Sequence, residues 1–241
     1  MEYRVIEFAT VTSTNDVAKE YAKRGACQGT IIKAVSQTKG RGRLGRAWYS
    51  PEGGLWFSLI LRPEGTDPTD RLCIPLAAGL AVCDMLSCWG LKPVCKWPND
   101  VLVGESKVCG VLAETCDEAL ILGVGLNLRV DGAPEGMRYA SIHRLVTDVH
   151  SPEEALQYFM RYFSPYYHLL LTGQRRAVLE YYRKYDALSG REVQVLTFER
   201  QIKGIVRGIG PSGELLVETA GTMHHIYSGD VEKCRVIHGR S

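Results

Sequence analysis

Gln37-Thr38-Lys39-Gly40-Arg41-Gly42-Arg43-Leu44-Gly45-Arg46-Ala47-Trp48 is the stretch on which the reading of this chain turns. Glycine lets backbone take conformations closed to other residues and approach a ligand closely. Arginine offers a rigid fork of donors that matches carboxylates and phosphates. Basic, glycine-rich segments also occur as disordered nucleic-acid tails or as solvated surface. Here the run is short, and apolar segments close in on both sides, Thr30 to Ser36 before it and Leu55 to Leu61 after it. Both read as strands, which makes the run an ordered loop inside a folded domain, suited to covering a small polar anion.

Working outward, Thr12-Ser13-Thr14-Asn15-Asp16 leads into Val17 to Ala22, and Gly25 follows. This reads as a strand, a polar turn and a short helix, with Ser13-Thr14-Asn15 as side-chain caps and Asp16 in the first turn. A helix N-terminus also presents free N–H groups to a ligand. Leu72 to Trp89 reads as a buried core helix, because Pro75 and Asp84 leave its apolar run too short for a bilayer. Val94 to Trp97 and Val101 to Val103 are short strands, and Lys107 to Glu114 closes a hairpin through Gly104-Glu105-Ser106. Leu120 to Leu128 is a further strand, and Pro152 to Leu171 and Gln174 to Tyr185 are helices with apolar residues at helical spacing. Composition changes near Leu188. From there short strands alternate with turns, at Val193 to Thr197, Ile202 to Ile209, Leu215 to Glu218 and His224 to Tyr227, with Gly210-Pro211-Ser212-Gly213 as the strongest turn signal.

The chain has 241 residues, room for a large domain and a small one. Its 29 basic and 27 acidic residues give a net charge of +2, without the excess expected of a dedicated DNA-binding domain. The 8 cysteines form no Cys-x-x-Cys pair, which argues against a zinc ribbon, and several read as small buried hydrophobes. Met1 to Ala9 carries Glu2, Arg4 and Glu7, so it reads neither as a secretory signal nor as a membrane span. The 6 histidines all fall in the second half, and His224-His225 point to opposite faces of a strand, which argues against a metal pair.

Three more segments carry chemistry. Lys96-Trp97-Pro98-Asn99-Asp100 joins a cation at a strand end to a turn with an amide and a carboxylate, suited to phosphate plus Mg²⁺ or simply to an Asn-Asp turn. Lys107, with Gly110 three residues on, could face a sheet-lined pocket or solvent. Gly123-Val124-Gly125-Leu126-Asn127 permits close approach to a strand and ends in a carboxamide. There is no Rossmann fingerprint, no Walker A sequence and no readable Ser-His-Asp or Cys-His arrangement.

Together and in this order, Ser13-Thr14-Asn15, the Gln37 to Trp48 loop, Lys96 to Asp100, Lys107 with Gly110, and Gly123 to Asn127 resemble biotin protein ligases over most of the chain. The resemblance implies an α+β fold. Residues 1–187 would form a mixed-sheet, class II synthetase-like catalytic domain with flanking helices, and residues 188–241 a small SH3-like β-barrel. It implies that biotin and ATP, with Mg²⁺, give biotinyl-5′-AMP and pyrophosphate, and that a lysine of a biotin carboxyl carrier protein or domain then takes the biotin. It assigns Arg43 and Lys107 to catalysis. Both would also touch biotin, with Ser13, Thr14, Asn15, Gln37, Arg41, Gly42 and Gly110. ATP would meet Gly40, Arg46, Trp48, Lys96, Asn99, Asn127 and Arg235, and the metal Asn127 and Asp100. The motifs begin by Ser13, so no winged helix, no specific nucleic-acid contact and no membrane contact are expected of a cytoplasmic homodimer. The rivals are a lipoate or octanoate ligase of the same superfamily and a non-catalytic nucleic-acid-binding module. Gln37 and the arginine loop favour a compact polar head over a bare acyl chain.

Overall fold

Alternation along Leu55–Leu61 divides the catalytic part of the molecule into two cores. Leu55, Phe57, Leu59 and Leu61 enter one apolar cluster, and Ile60 enters another on the opposite face. A strand with period two that is buried on both sides lies mid-sheet. The computed structural model describes residues 1–132, 139–198 and 200–233. Cys234, Arg235 and most of the turn-like segment after Asn127 lie outside the described residues.

The strands of the first sheet are β1 (Arg4–Val11), β2 (Thr30–Gln37), β3 (Leu55–Leu61), β4 (Pro93–Lys96), β5 (Asp100–Val103), β6 (Ser106–Cys116) and β7 (Ala119–Leu126), in the order β1-β2-β3-β7-β6-β5-β4. Only β1 and β2 are parallel, joined by helix α1 (Thr14–Lys23), and every other pair is antiparallel. Helix α1 covers the β2, β3, β6 and β7 face, where Ala18 and Ala22 meet Ile32, Ile60 and Ile121. The other face carries α3 (Ile74–Cys88), α4 (Pro152–Leu171) and α5 (Arg175–Tyr185), preceded by the single turn α2 (Pro68–Leu72). Helix α4 coincides with its predicted span, because Ser151 and Glu154 cap each other and Leu156, Phe159, Met160, Phe163 and Tyr167 recur at helical spacing.

The helix expected over Leu72 to Trp89 begins later. Pro75 sits in the first turn of α3, where a missing N–H costs nothing, so Leu72 closes the preceding short helix instead. Side-chain capping at Ser13 is also corrected. Ser13 occupies the N-cap position with extended backbone but makes no capping bond, and Gln37 Oε1 accepts from Thr14 N at 2.8 Å in its place.

After α5 come β8 (Glu192–Leu196), β9 (Gln201–Ile209), β10 (Leu215–Thr219), β11 (Thr222–Ile226) and β12 (Asp230–Lys233). They form an antiparallel sheet of SH3-like type in the order β11-β10-β9-β8-β12. No ladder closes it into a barrel among the described residues. The sheet does not keep a separate core. Val193, Val195, Val206, Leu215 and Val217 belong to the same apolar cluster as α3 and α4. Its β9–β10 turn docks on the first sheet's layer. Trp97 Nε1 donates to the Gly213 carbonyl at 2.9 Å, and Arg175 Nε donates to the Pro211 carbonyl at 3.1 Å.

Candidate active site

The two strand glycines Gly123 and Gly125 make the floor of a cavity, and side chains of the protein itself use their openness. A Cβ on Gly123 would collide with the Asn15 carboxamide, and one on Gly125 would stand 2.5 Å from Trp48 Nε1. The Trp48 indole therefore lies against β6 and β7, near Gly110 as well, and meets Trp56 edge-on at 6.5 Å. Its Nε1 is buried without an acceptor among the described residues, a donor whose isolation costs about 1–3 kcal/mol.

At one end of the cavity the start of α1 meets the end of β2. Gln37 Oε1 accepts from Thr14 N, and Gln37 Nε2 donates to Ser50 Oγ at 2.9 Å. The Ser58 hydroxyl lies 2.7 Å from Thr14 Oγ1 and 2.5 Å from Asn15 Oδ1. Asn15 Nδ2 donates to Glu114 Oε2 at 2.6 Å. Ser13, Thr14, Asn15 and Ser58 are all buried. In low dielectric a fully bonded network of this kind fixes side-chain orientation.

Arg41 joins this network rather than reaching freely over the cavity. Its guanidinium donates in two parallel bonds to Asp16, at 2.6 and 2.7 Å, and to Glu114 at 3.0 Å, while Lys19 Nζ meets Glu114 at 2.7 Å. The hydrogen bond from Arg41 holds the Asp16 carboxyl below the usual range. Burial works to raise that of Glu114, but donors from Lys19 and Asn15 and the charge of Arg41 outweigh it and leave the carboxyl lowered.

The rest of the loop turns towards the C-terminal sheet. Leu44 takes a left-handed backbone (φ 55°, ψ 30°), a conformation that costs a leucine about 1–3 kcal/mol and is found at functional loops. It aims the flanking arginines at the β11–β12 turn. Arg43 donates to the Gly229 carbonyl and to Ser228 Oγ, each at 3.1 Å, and Arg46 pairs with Asp230. Burial presses Arg43 below the ordinary guanidinium value, although Asp230 and Asp100 oppose the shift.

At the other end, Lys107 Nζ pairs with Asp100 Oδ1 at 2.6 Å and lies over the Trp48 ring. Asn99 Nδ2 donates to the Val111 carbonyl at 2.8 Å, which ties the Pro98-Asn99-Asp100 turn to β6. Asn127 Nδ2 donates to the carbonyls of Lys107 and Ala140, and its own carbonyl accepts from Ile142 N.

These pieces enclose one cavity of about 680 Å³, within the range of small-molecule sites. Ser13, Thr14, Asn15, Gln37, Arg41, Gly42, Arg43, Arg46, Trp48, Asn99, Asp100, Lys107, Gly110 and Asn127 all line it. Gly40 and Lys96 do not. Gly40 is needed within the loop, where a Cβ would press on the Trp48 carbonyl and Ser50 Oγ. Sequence reasoning missed Asp16, Ser58, Glu114, Tyr139 and Asp230. Of these only Ser58 carried a signal, a lone hydroxyl in an apolar strand.

The sequence profile of the biotin/lipoate A/B protein ligase family matches residues 7–131, and that of the biotin protein ligase C-terminal domain matches residues 188–233. The chain belongs to the biotin/lipoate A/B protein ligase family. Within that ligase family it is 31% identical over 233 residues to a bifunctional ligase/repressor BirA of Bacillus spizizenii, covering 92% of this chain and 71% of the relative. It is 30% identical over 224 residues to a biotin--[acetyl-CoA-carboxylase] ligase of Paracoccus denitrificans, covering 87% of this chain and 92% of the relative. The biotin protein ligase of Aquifex aeolicus, solved in complex with biotin and ATP, superposes with a TM-score of 0.88 at 31% identity, over 96% of this chain and 99% of that one.

Proposed function

We propose that the chain is an ATP-dependent biotin protein ligase. One observation carries the reading. A single cavity joins a fixed cluster of hydroxyl and amide groups at one end to Lys107, Asp100 and Arg43 at the other. The first end suits a compact polar head such as the ureido ring of biotin. The second suits the meeting of two anions, which repel each other until cations and donors stand between them.

In the first step a biotin carboxylate oxygen bonds to the α-phosphorus of ATP, and the bond from that phosphorus to pyrophosphate breaks. Lys107 steadies the charge on the reacting carboxylate, and Arg43 holds the phosphoryl oxygens. Ser13, Thr14, Asn15, Gln37, Gly42 and Gly110 hold biotin, and Arg41 anchors the loop start through Asp16 and Glu114. Arg46, Trp48, Asn99, Asn127 and Arg235 serve the nucleotide, while Gly40 and Lys96, off the cavity wall, act only by shaping the loop and the turn beside it. Asp100 Oδ1 is buried and pairs with Lys107 Nζ. With Asn127 on the same cavity, this hard-oxygen set fits Mg²⁺, which binds through few protein ligands plus phosphates and water. Asp100 and Asn127 would hold the ion, which neutralises phosphate charge when bound. In the second step the neutral amine of a carrier lysine attacks the mixed anhydride at its carbonyl carbon. AMP leaves with the bridging oxygen, and the amine gives up a proton.

Residues 1–187 act as the catalytic domain and residues 188–241 as the SH3-like domain. The acceptor is a biotin carboxyl carrier protein or domain, and the protein works as a cytoplasmic homodimer without specific nucleic-acid contact. Near-neutral charge supports the last point, and among the described residues no helix is long and apolar enough to cross a membrane. The test is acid-dependent ATP–pyrophosphate exchange with Mg²⁺, offering biotin, lipoate and octanoate. Exchange with biotin is expected. Exchange with lipoate or octanoate instead, or with none of the three, overturns the reading.

A further inference from the structure

Three successive residues of the C-terminal sheet grip the glycine/arginine loop. Ser228 and Gly229 accept from Arg43, each at 3.1 Å, and Asp230 pairs with Arg46. Arg41 is held instead by α1 and β6, through Asp16 and Glu114. The loop is thus strung between the two sheets, with its first arginine on the catalytic sheet and its last two on the C-terminal one. No residue of the Arg43–Gly45 turn is buried, and the Leu44 side chain is 58% exposed. The C-terminal sheet can serve as an anchor because Trp97 and Arg175 fix its β9–β10 turn to the catalytic part.

Asp230 is the charged member of this grip. It opens β12, lines the cavity, and keeps only 18% of its side-chain surface exposed, whereas Arg46 is 68% exposed. A less exposed carboxylate on a fixed strand facing a solvated arginine sets the position of the loop, not the reverse. We infer that Asp230 is a positioning residue of the site, acting through Arg46 to hold the Gly40–Arg46 loop over the cavity. The pair is partly solvated, so it biases an opening equilibrium without locking it. That suits a cover which must admit two substrates and then retain an adenylate. The retained species rests on the function proposed above; the loop's position does not.

The test is a double-mutant cycle on the full chain with Asp230→Ala, Arg46→Ala and the double variant. Chymotrypsin cleavage after Leu44 reads loop opening without ligand, and escape of the acyl-adenylate into solvent reads it during turnover. Each single variant should raise cleavage roughly two- to fivefold, the range of a partly exposed ion pair, with the double variant no faster than either. The KM values for acid and ATP should rise more than kcat falls, and Asp230→Glu should restore part of the loss. Unchanged cleavage in Asp230→Ala, or effects that add in the double variant, overturns the inference. If Asp230→Ala does not fold, the near-isosteric Asp230→Asn replaces it in the same cycle, where faster cleavage without additivity supports the inference and unchanged or additive cleavage overturns it. Absence of exchange with any acid in the parent chain would sink the functional reading alone, since the cleavage cycle needs no substrate.

Discussion

Lys107 Nζ stands 2.6 Å from Asp100 Oδ1 and 4.8 Å from the centre of the Trp48 ring. One amine is therefore placed by a carboxylate from β5 and an indole from the arginine loop at once. The two side chains are about a quarter exposed, and that residual solvent access keeps the cost of removing the amine below that of breaking a fully buried pair. Lys107→Ala should lower pyrophosphate exchange by roughly a hundredfold or more, the scale of losing one preorganised charge partner. It should move Tm by only a few degrees. Comparing initial exchange rates with thermal melts checks this, and a fall in Tm as severe as the fall in rate would make Lys107 structural.

Gly125→Ala puts a methyl group 2.5 Å from Trp48 Nε1, closer than real contacts allow. The indole must shift off β7, and overpacking of this sort costs about 1–3 kcal/mol. The expected signature is altered tryptophan fluorescence with weaker nucleotide binding. Titration with ATP, followed calorimetrically, separates the loss of binding from the loss of stability.

The Asp16–Arg41–Glu114 cluster predicts acid sensitivity. Both carboxyls titrate lower in the folded chain than in the unfolded one. Their contribution is thus fully present above the ordinary carboxylate range and is lost as pH falls through the lowered folded values. Asp16 is nearly half exposed, so solvent screening keeps its share to about 1 kcal/mol or less. Asp16→Asn should melt roughly 2–4 °C lower at pH 7 per kcal/mol lost. The gap to the parent should begin to narrow below about pH 4, where the unfolded carboxyl protonates, and close as pH falls past the lowered folded value. A gap that stays constant down to pH 3 would contradict the ion-pair account.

Trp97→Phe keeps the apolar bulk of a buried residue but deletes the donor to Gly213. A carbonyl left without its partner at that contact costs about 1–3 kcal/mol. Proteolysis between α5 and β8 should accelerate, because the β9–β10 turn loses its bond to Trp97. Equal cleavage in parent and variant would mean that the Trp97 bond does not secure the turn.

Much of the scaffold is legible along the chain. Helix α4 and strand β3 were readable because their periods, 3.6 and 2, extend over enough residues to exclude the alternatives. The expected Leu72 to Trp89 helix was off at its start, because Pro75 begins a helix as readily as it interrupts one. Strand β12 gave no signal, since Val231 is the lone apolar residue in it and its pairing with β8 is long-range. Within the site, Gly123 and Gly125 announced a close approach, but not that Asn15 and Trp48 would make it.

The sequence by itself determined which residues could meet an anion, where the strands and long helices run, and that the chain changes character near Leu188. Local chemistry and short periods suffice for those properties. Only the tertiary structure decided what each charge is spent on. Arg41 turns to Asp16 and Glu114, Lys107 to Asp100, and Arg43 and Arg46 to a turn more than 180 residues away along the chain. An arginine's donors are the same towards any carboxylate, so its partner is set by which strand the fold brings within about 3 Å, and the residue itself does not specify that.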